Sequence, residues 1–291
     1  MKNNRNALTT IALLLLIFTI TGCAPSFNLP DLSSESDFEF SNGEIIKYRG
    51  SGGDVEIPSS IGGVPVTSIR GWAFQDCNNL TSITFPDSVT YIGNWAFSSC
   101  DNITRVTFPE NSQLKAIGEH AFSYCRKLEN ITIPESVTSM GYCAFYYCTN
   151  LTRVTFPENS QLSRIGDHGF AFCTKMENIE IPGSVTSIET ATFRGCTSLS
   201  GVTINNGVTM IEEFAFWKCY KLVSIIIPDS VTTIKGYAFY QSKLQEIIIG
   251  VGVTIGDKMI AENNYFRDCY DHFGKKAGIY ISVAGGYWDK K

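Results

Sequence analysis

Residues 131–148 read ITIPESVTSMGYCAFYYC, and this pattern decides the fold because it recurs along most of the chain. Its last residue belongs to a column formed by Cys77, Cys100, Cys125, Cys148, Cys173, Cys196 and Cys219, spaced by 23, 25, 23, 25, 23 and 23 residues. Three residues before each cysteine stands a phenylalanine, from Phe74 through Phe145 to Phe216. Three residues after it stands Leu, Ile or Met, from Leu80 through Leu151 to Leu222. A fixed period of this length marks a solenoid of stacked rungs. One rung points about eight apolar side chains inward, too few to offset the entropy of ordering its backbone. It becomes stable only when neighbours cover it and share a hydrogen-bond ladder.

Within a rung, Leu80-Thr81-Ser82-Ile83-Thr84-Phe85 alternates apolar and polar residues at the strand period of two, and Pro86 ends the strand because it has no N–H to give. A second apolar pair, Val89 and Ile92, precedes Ala96 and Phe97. The two 25-residue spacings come from one insertion, Glu110-Asn111-Ser112-Gln113, and its copy Glu158-Asn159-Ser160-Gln161. Phe108 and Phe156, like His120 and His168, are 48 residues apart, so a two-rung unit was duplicated whole.

The run Ile-x-Ile-Pro-x-x-Val-x-x-Ile-Gly-x-x-Ala-Phe-x-x-Cys, present at 131–148 with Met140 for Ile, resembles the BspA-type leucine-rich repeats of bacterial surface proteins. Residues 50–66 are similar to the first rung of such proteins. The resemblance implies a curved solenoid with a parallel sheet on its concave side, short turns and 3-10 elements between strands, and a role in adhesion or surface recognition. Both ends depart from the repeat. Phe38 to Tyr48 suit a hairpin about Asn42-Gly43 that shields the first rung. At the other end, Ser242 stands where a Cys would fall. Residues 257–273 then place Met259, Ile260, Phe266, Cys269, Tyr270 and Phe273 at helical spacing, and a last hairpin turns at Gly285-Gly286.

The N-terminus is of another kind. Lys2 and Arg5 precede an apolar run from Ala7 to Ile20, too short to span a bilayer and followed by small residues, which reads as a secretory signal. Ile20-Thr21-Gly22-Cys23 resembles the lipobox of bacterial lipoproteins, which implies cleavage before Cys23 and its acylation. The expected organisation is signal peptide 1–22, lipidated tether 23–36, N-terminal cap 37–53, leucine-rich repeats 54–249 and a helix-plus-hairpin C-terminal cap 250–291, exported and held at the cell envelope by lipid. Removing the signal takes two of the 23 basic residues and none of the 28 acids, so the mature charge is 21 − 28 = −7. An acidic chain argues against a nucleic-acid partner, whose phosphates need a basic footprint.

No nucleophile elbow, zinc-protease helix or phosphate loop occurs, and Gly250 to Gly256 only approach a dinucleotide fingerprint with one residue too many. No catalytic residue, cofactor or metal is therefore expected. The cysteine column is read as a ladder of buried thiols rather than disulfides, because side chains in one column point the same way. The residue before each Ala-Phe pair runs Trp72, Trp95, His120, Cys143, His168, Ala191, Phe214, Tyr237. Its three metal-ligand types are outweighed by the space-filling aromatics around them. Four Asn-x-Thr sequons, such as Asn79-Leu80-Thr81, are by-products of Thr-rich rungs.

The x positions of Leu-x-x-Ile-x-Ile face outward, each rung adding three side chains to one surface. The candidate ligand-binding residues are Thr81, Thr84, Arg105, Thr107, Glu129, Asn130, Arg153, Thr155, Asn178 and Glu180, with Ser82 expected to face outward beside them. Threonine is explained by strand formation alone. The mixed arginines, amides and acids suit a protein or glycan ligand. The alternatives are a structural envelope protein that self-associates through repeat edges or an apolar patch, and an enzyme with a site of no known pattern. At the last rungs the outward positions become Val223, Ile226 and Ile248, which the terminal cap is expected to cover, the other reading being a partner-binding patch.

Overall fold

The computed structural model describes residues 34–260, 265–282 and 287–291, within one unit, Ser33–Lys291. Cys23, the signal and most of the tether lie outside the described residues. Each rung sends one strand to a broad sheet and one to a narrow sheet. The broad sheet holds Gly53–Glu56, Leu80–Thr84, Arg105–Thr107, Asn130–Thr132, Arg153–Thr155, Asn178–Ile181 and Gly201–Ile204 in sequence order, all parallel. The narrow sheet is built of two-residue strands such as Tyr91–Ile92 and Ser139–Met140. The rungs stack in strict register, for example Ile131 on Val154 and Ile117 on Met140, so each sequence column becomes a column in space.

Between the sheets runs a ladder of fully buried phenylalanines, Phe74, Phe97, Phe122, Phe145, Phe170, Phe193, Phe216 and Phe239, whose successive ring centroids lie 4.6–5.7 Å apart. The cysteines pack beside it as free thiols. Each of the six buried ones points its Sγ at the phenylalanine carbonyl of the preceding rung, as Cys148 does to Phe122 at 3.1 Å. Burial pushes these thiols up, Cys196 to about 12, so they stay protonated and able to donate.

The Ala-Phe turns place two residues per rung, four apart, in the left-handed region. Trp95, His120, Cys143 and His168 have φ of +53 to +62°, and Ser99, Tyr124, Tyr147 and Phe172 have +59 to +62°. That conformation is unfavourable for any side chain. It persists because each such N–H donates to the next rung, as Ser99 to the Ser123 carbonyl at 2.8 Å and Tyr124 to that of Tyr146 at 2.7 Å. The glycine after the narrow strand has another cause. A Cβ at Gly93, Gly118, Gly141 or Gly166 would stand 2.4–2.7 Å from the backbone of the preceding rung. The narrow sheet breaks between Arg164–Ile165 and Ser187–Ile188, where Glu189 stands in place of this glycine.

At the N-terminus the hairpin Phe38–Ser41 and Glu44–Tyr48 pairs with Ser68–Ile69 and closes the narrow sheet. At the other end the helix spans Tyr265–His272, shorter than the spacing from residue 257 suggested. Thr254–Ile255 instead continues the narrow sheet, and the Met259 carbonyl accepts the Phe239 N–H as a rung does. The final hairpin adds strands rather than a lid. Gly278–Ser282 pairs antiparallel with Glu246–Ile249, and Trp288–Lys290 with Gly278–Ser282. Val223 and Ile226 therefore remain 45% and 62% exposed while Ile248, paired with Ile279, is half-buried, so the expectation that the cap covers all three is corrected.

Candidate functional site

The outward side chains of the broad sheet form three columns. In the middle one, Arg105, Asn130, Arg153 and Asn178 are successive Cα partners, ending at Gly201. Beside it run Thr84 on Thr107, Thr132 on Thr155, and Glu180 on Thr203. On the other side, ladder bonds link Thr81, Thr104, Glu129, Thr152 and Glu177 in order. Of the ten residues singled out from sequence, nine are exposed and Thr84 is half-buried.

The two ends of this surface are occupied by their own hydrogen bonds. Asp54 accepts from Thr81 Oγ1 at 2.8 Å and Ser82 Oγ at 2.7 Å, and these bonds hold its carboxyl below the usual range. Ser82, in the same outward column as Arg105, is only 5% exposed because Asp54 covers its hydroxyl. At the other end Glu180 accepts from Asn205 Nδ2 at 3.0 Å. In the middle, Arg105, Asn130 and Arg153 make no side-chain hydrogen bond or ion pair among the described residues. Two guanidiniums about 10 Å apart, at two strand spacings, flank an amide with free donors and acceptor.

Next to them lies a depression of about 410 Å³ lined by Arg105, Thr107, Phe108, Asn130, Thr132 and Pro134 among others, with Glu110 and Glu135 at its rim. That volume is within the range of small-ligand and side-chain pockets. It exists because of the insertion. Phe108 and Phe156, on the two rungs that carry it, are only partly buried, whereas their equivalents Phe85, Ile133 and Ile181 are buried. The inserted loop is pinned to the preceding turn by Asn111 Nδ2 to Asp87 Oδ2 at 2.9 Å and Gln113 N to the Asp87 carbonyl at 3.0 Å. Sequence reasoning missed Phe108, Glu110, Pro134 and Glu135 as part of the surface, although the insertion was the available signal.

The architecture matches a family model described as BspA type leucine rich repeat region, in six copies over residues 53–173 and 163–269. The chain belongs to the BspA-type leucine-rich-repeat family. Among solved structures, the BspA-type chain is similar to the T. pallidum leucine rich repeat protein TpLRR, at 29% identity over 66% of this chain and 90% of that one, with a TM-score of 0.61. It is similar also to a leucine-rich repeat protein from Bacteroides ovatus, at 25% identity over 82% and 69%, with a TM-score of 0.55. No curated protein matches. The BspA-type repeats explain the scaffold, while the depression and the arginine pair arise from residues that vary between rungs.

The column before Ala-Phe is filled by stacking. His120 lies on Trp95 at 3.8 Å and meets Tyr142 edge-on, and Tyr142 leans on His168. Burial lowers both histidine pKa values, so each ring is neutral at pH 7. Among the described residues no three His, Cys, Asp or Glu side chains gather as metal ligands. At the C-terminal end, Ile226, Ile248 and Ile279 stand in one row across three paired strands, with Ile279 37% exposed.

Proposed function

We propose that this protein is an exported lipoprotein, anchored to the bacterial cell envelope through Cys23, that works as a non-enzymatic adhesion or binding module. Its ligand is a protein or glycan held on the broad sheet, centred on Arg105, Asn130 and Arg153. The observation that carries this reading is three in-register planar side chains, exposed and without a side-chain hydrogen bond or ion pair among the described residues, two of which, Arg105 and Asn130, line the depression by Phe108. Strand formation does not require them, and charged side chains without partners are available to a ligand. Among the described residues no helix is long and apolar enough to cross a membrane.

The test is to capture extracellular-matrix and envelope components on the immobilised chain and on Arg105→Ser/Asn130→Ser/Arg153→Ser. A ligand retained by the first and lost by the second supports the reading. A second reading rests on the Ile226–Ile248–Ile279 row, since two exposed isoleucines flanking a half-buried one in register are the kind of patch that joins copies of one chain. Sedimentation that stays monomeric at high concentration excludes it.

A further inference from the structure

The edge formed by the Ala-Phe turns carries another surface, which the proposed function does not use. The residue after each Phe runs Tyr146, Ala171, Arg194, Trp217, and the left-handed position after that runs Tyr124, Tyr147, Phe172, Gly195, Lys218. Tyr124, Tyr147 and Phe172 form a stack with centroids 5.5 and 4.7 Å apart. Tyr146 stands across it, at 80° to Tyr124 and 88° to Phe172. Arg194 follows, its guanidinium carbon 5.5 Å from the Phe172 centroid and 4.1 Å from that of Trp217. The Lys218 amine lies 5.0 Å from the same Trp217 ring. Gly195 permits this packing, since a Cβ there would meet Phe172 Cδ1 at 2.6 Å.

Arg194 has no hydrogen bond or ion pair among the described residues, and its Nε is buried without a partner. Five N–H donors lie in the plane of a guanidinium. Rings on both sides fix that plane and cover its faces, so the in-plane donors are held ready for a planar acceptor. Nε itself is closed to solvent, so the donors open to an acceptor are the Nη groups at the outer end of this half-buried side chain. The main chain offers nothing further here. Tyr147, Phe172, Gly195 and Lys218 each spend their N–H on the next rung, so a peptide strand cannot be added at this edge.

We propose that this edge binds an acidic polysaccharide, with a uronic-acid carboxylate on Arg194 beside Lys218 and neighbouring sugar hydroxyls on the phenols of Tyr124, Tyr146 and Tyr147. Guanidinium and carboxylate match as planar bidentate partners. The phenol hydroxyls of Tyr124, Tyr146 and Tyr147 supply donors and acceptors for sugar hydroxyls next to apolar ring surface. An acidic peptide is disfavoured because the edge has no free main-chain donors for it.

The probe is tetragalacturonate, titrated calorimetrically into the 291-residue chain, with its methyl ester and hexaglutamate as controls. Binding of tetragalacturonate is expected to weaken at least tenfold in Arg194→Gln and at least fivefold in Arg194→Lys, which keeps charge and loses the planar fork. The methyl ester and hexaglutamate are expected to bind at least tenfold more weakly than tetragalacturonate. Arg105→Ser/Asn130→Ser/Arg153→Ser should bind it unchanged, which separates this surface from the broad sheet. If Arg194→Gln loses its thermal transition, Arg194→Lys decides. The proposal is overturned by no binding of tetragalacturonate at millimolar concentration, by equal binding of the ester or of hexaglutamate, or by unaltered affinity in the folded arginine variants.

Discussion

Replacing Cys148 by alanine removes a fully buried thiol that points at the Phe122 carbonyl, 3.1 Å away. The carbonyl keeps the Cys125 N–H at 3.3 Å, so what is lost is its second hydrogen bond, a net contribution of about 0.5–1.5 kcal/mol. A thiol is a weak donor, so the lower end of that range applies. The void adds to it: roughly 20 Å³ at about 24 cal/mol per Å³ is about 0.5 kcal/mol. The expected loss is about 1 kcal/mol, equivalent to about 2–4 °C in melting temperature for a domain of this size. Serine is not expected to rescue. The one rung that already has serine in this column, Ser242, holds a buried Oγ with no partner, since the shorter C–O bond does not reach the carbonyl. Cys148→Ser should therefore melt no higher than Cys148→Ala, measured by circular dichroism on both. A serine variant as stable as the parent would refute the claim that the column is selected for the reach of sulfur.

The same ladder predicts alkaline unfolding. Folded pKa values of the buried thiols lie above the ordinary 9.0, so their stabilisation is complete below that pH and is lost as pH rises toward the folded values. Each thiol then costs about 1.4 kcal/mol per pH unit, and six cost on the order of 8 kcal/mol per unit, so ellipticity should collapse within about one to two units above 9. Thiolate absorbance that rises while the fold stays intact would contradict this. Ser99→Gly should raise the melting temperature slightly, because relief of a left-handed side chain, about 1–2 kcal/mol, exceeds the entropy glycine adds to the unfolded chain, about 0.5–1 kcal/mol. Gly166→Ala should lower stability by about 1–3 kcal/mol, since its Cβ would stand 2.6 Å from the Gly141 carbonyl carbon, and a neutral melt would disprove the close-stacking argument. Cys23→Ala should release or misprocess the protein, checked by membrane fractionation and N-terminal sequencing; membrane retention of a correctly cleaved variant would sink the lipid anchor.

The repeat was legible because every rung restates it. Phenylalanine, cysteine and the Ile-x-Ile strand hold their columns in the structure as in the alignment. What the sequence hid lies in departures from the repeat. Ser82 is covered because Asp54, on an atypical first rung, accepts its hydroxyl. The depression by Phe108 depends on how a turn two residues longer lifts its rung, which no side-chain pattern encodes. The paired left-handed positions are occupied by Trp, His, Tyr and Ser rather than the Gly or Asn that signal them. Arg194 was visible only as one residue in a column never aligned, and its setting comes from Phe172 and Trp217 on the rungs either side. The apolar outward positions Val223, Ile226 and Ile248 suggest a cover, whereas the terminal hairpin pairs as strands at the open sheet edge, which satisfies more backbone groups.

The central claim is that the middle of the broad sheet is the ligand site. It is tested most directly by titrating a ligand captured on the parent chain into Arg105→Ser/Asn130→Ser/Arg153→Ser, with melting temperature measured in parallel. All three side chains are exposed, so the melting temperature should stay within about 2 °C, as surface substitutions of this kind change stability by about 0.5 kcal/mol or less. The account predicts affinity at least tenfold weaker in the folded triple variant. Unaltered affinity in a variant that melts with the parent would place the ligand elsewhere on the molecule.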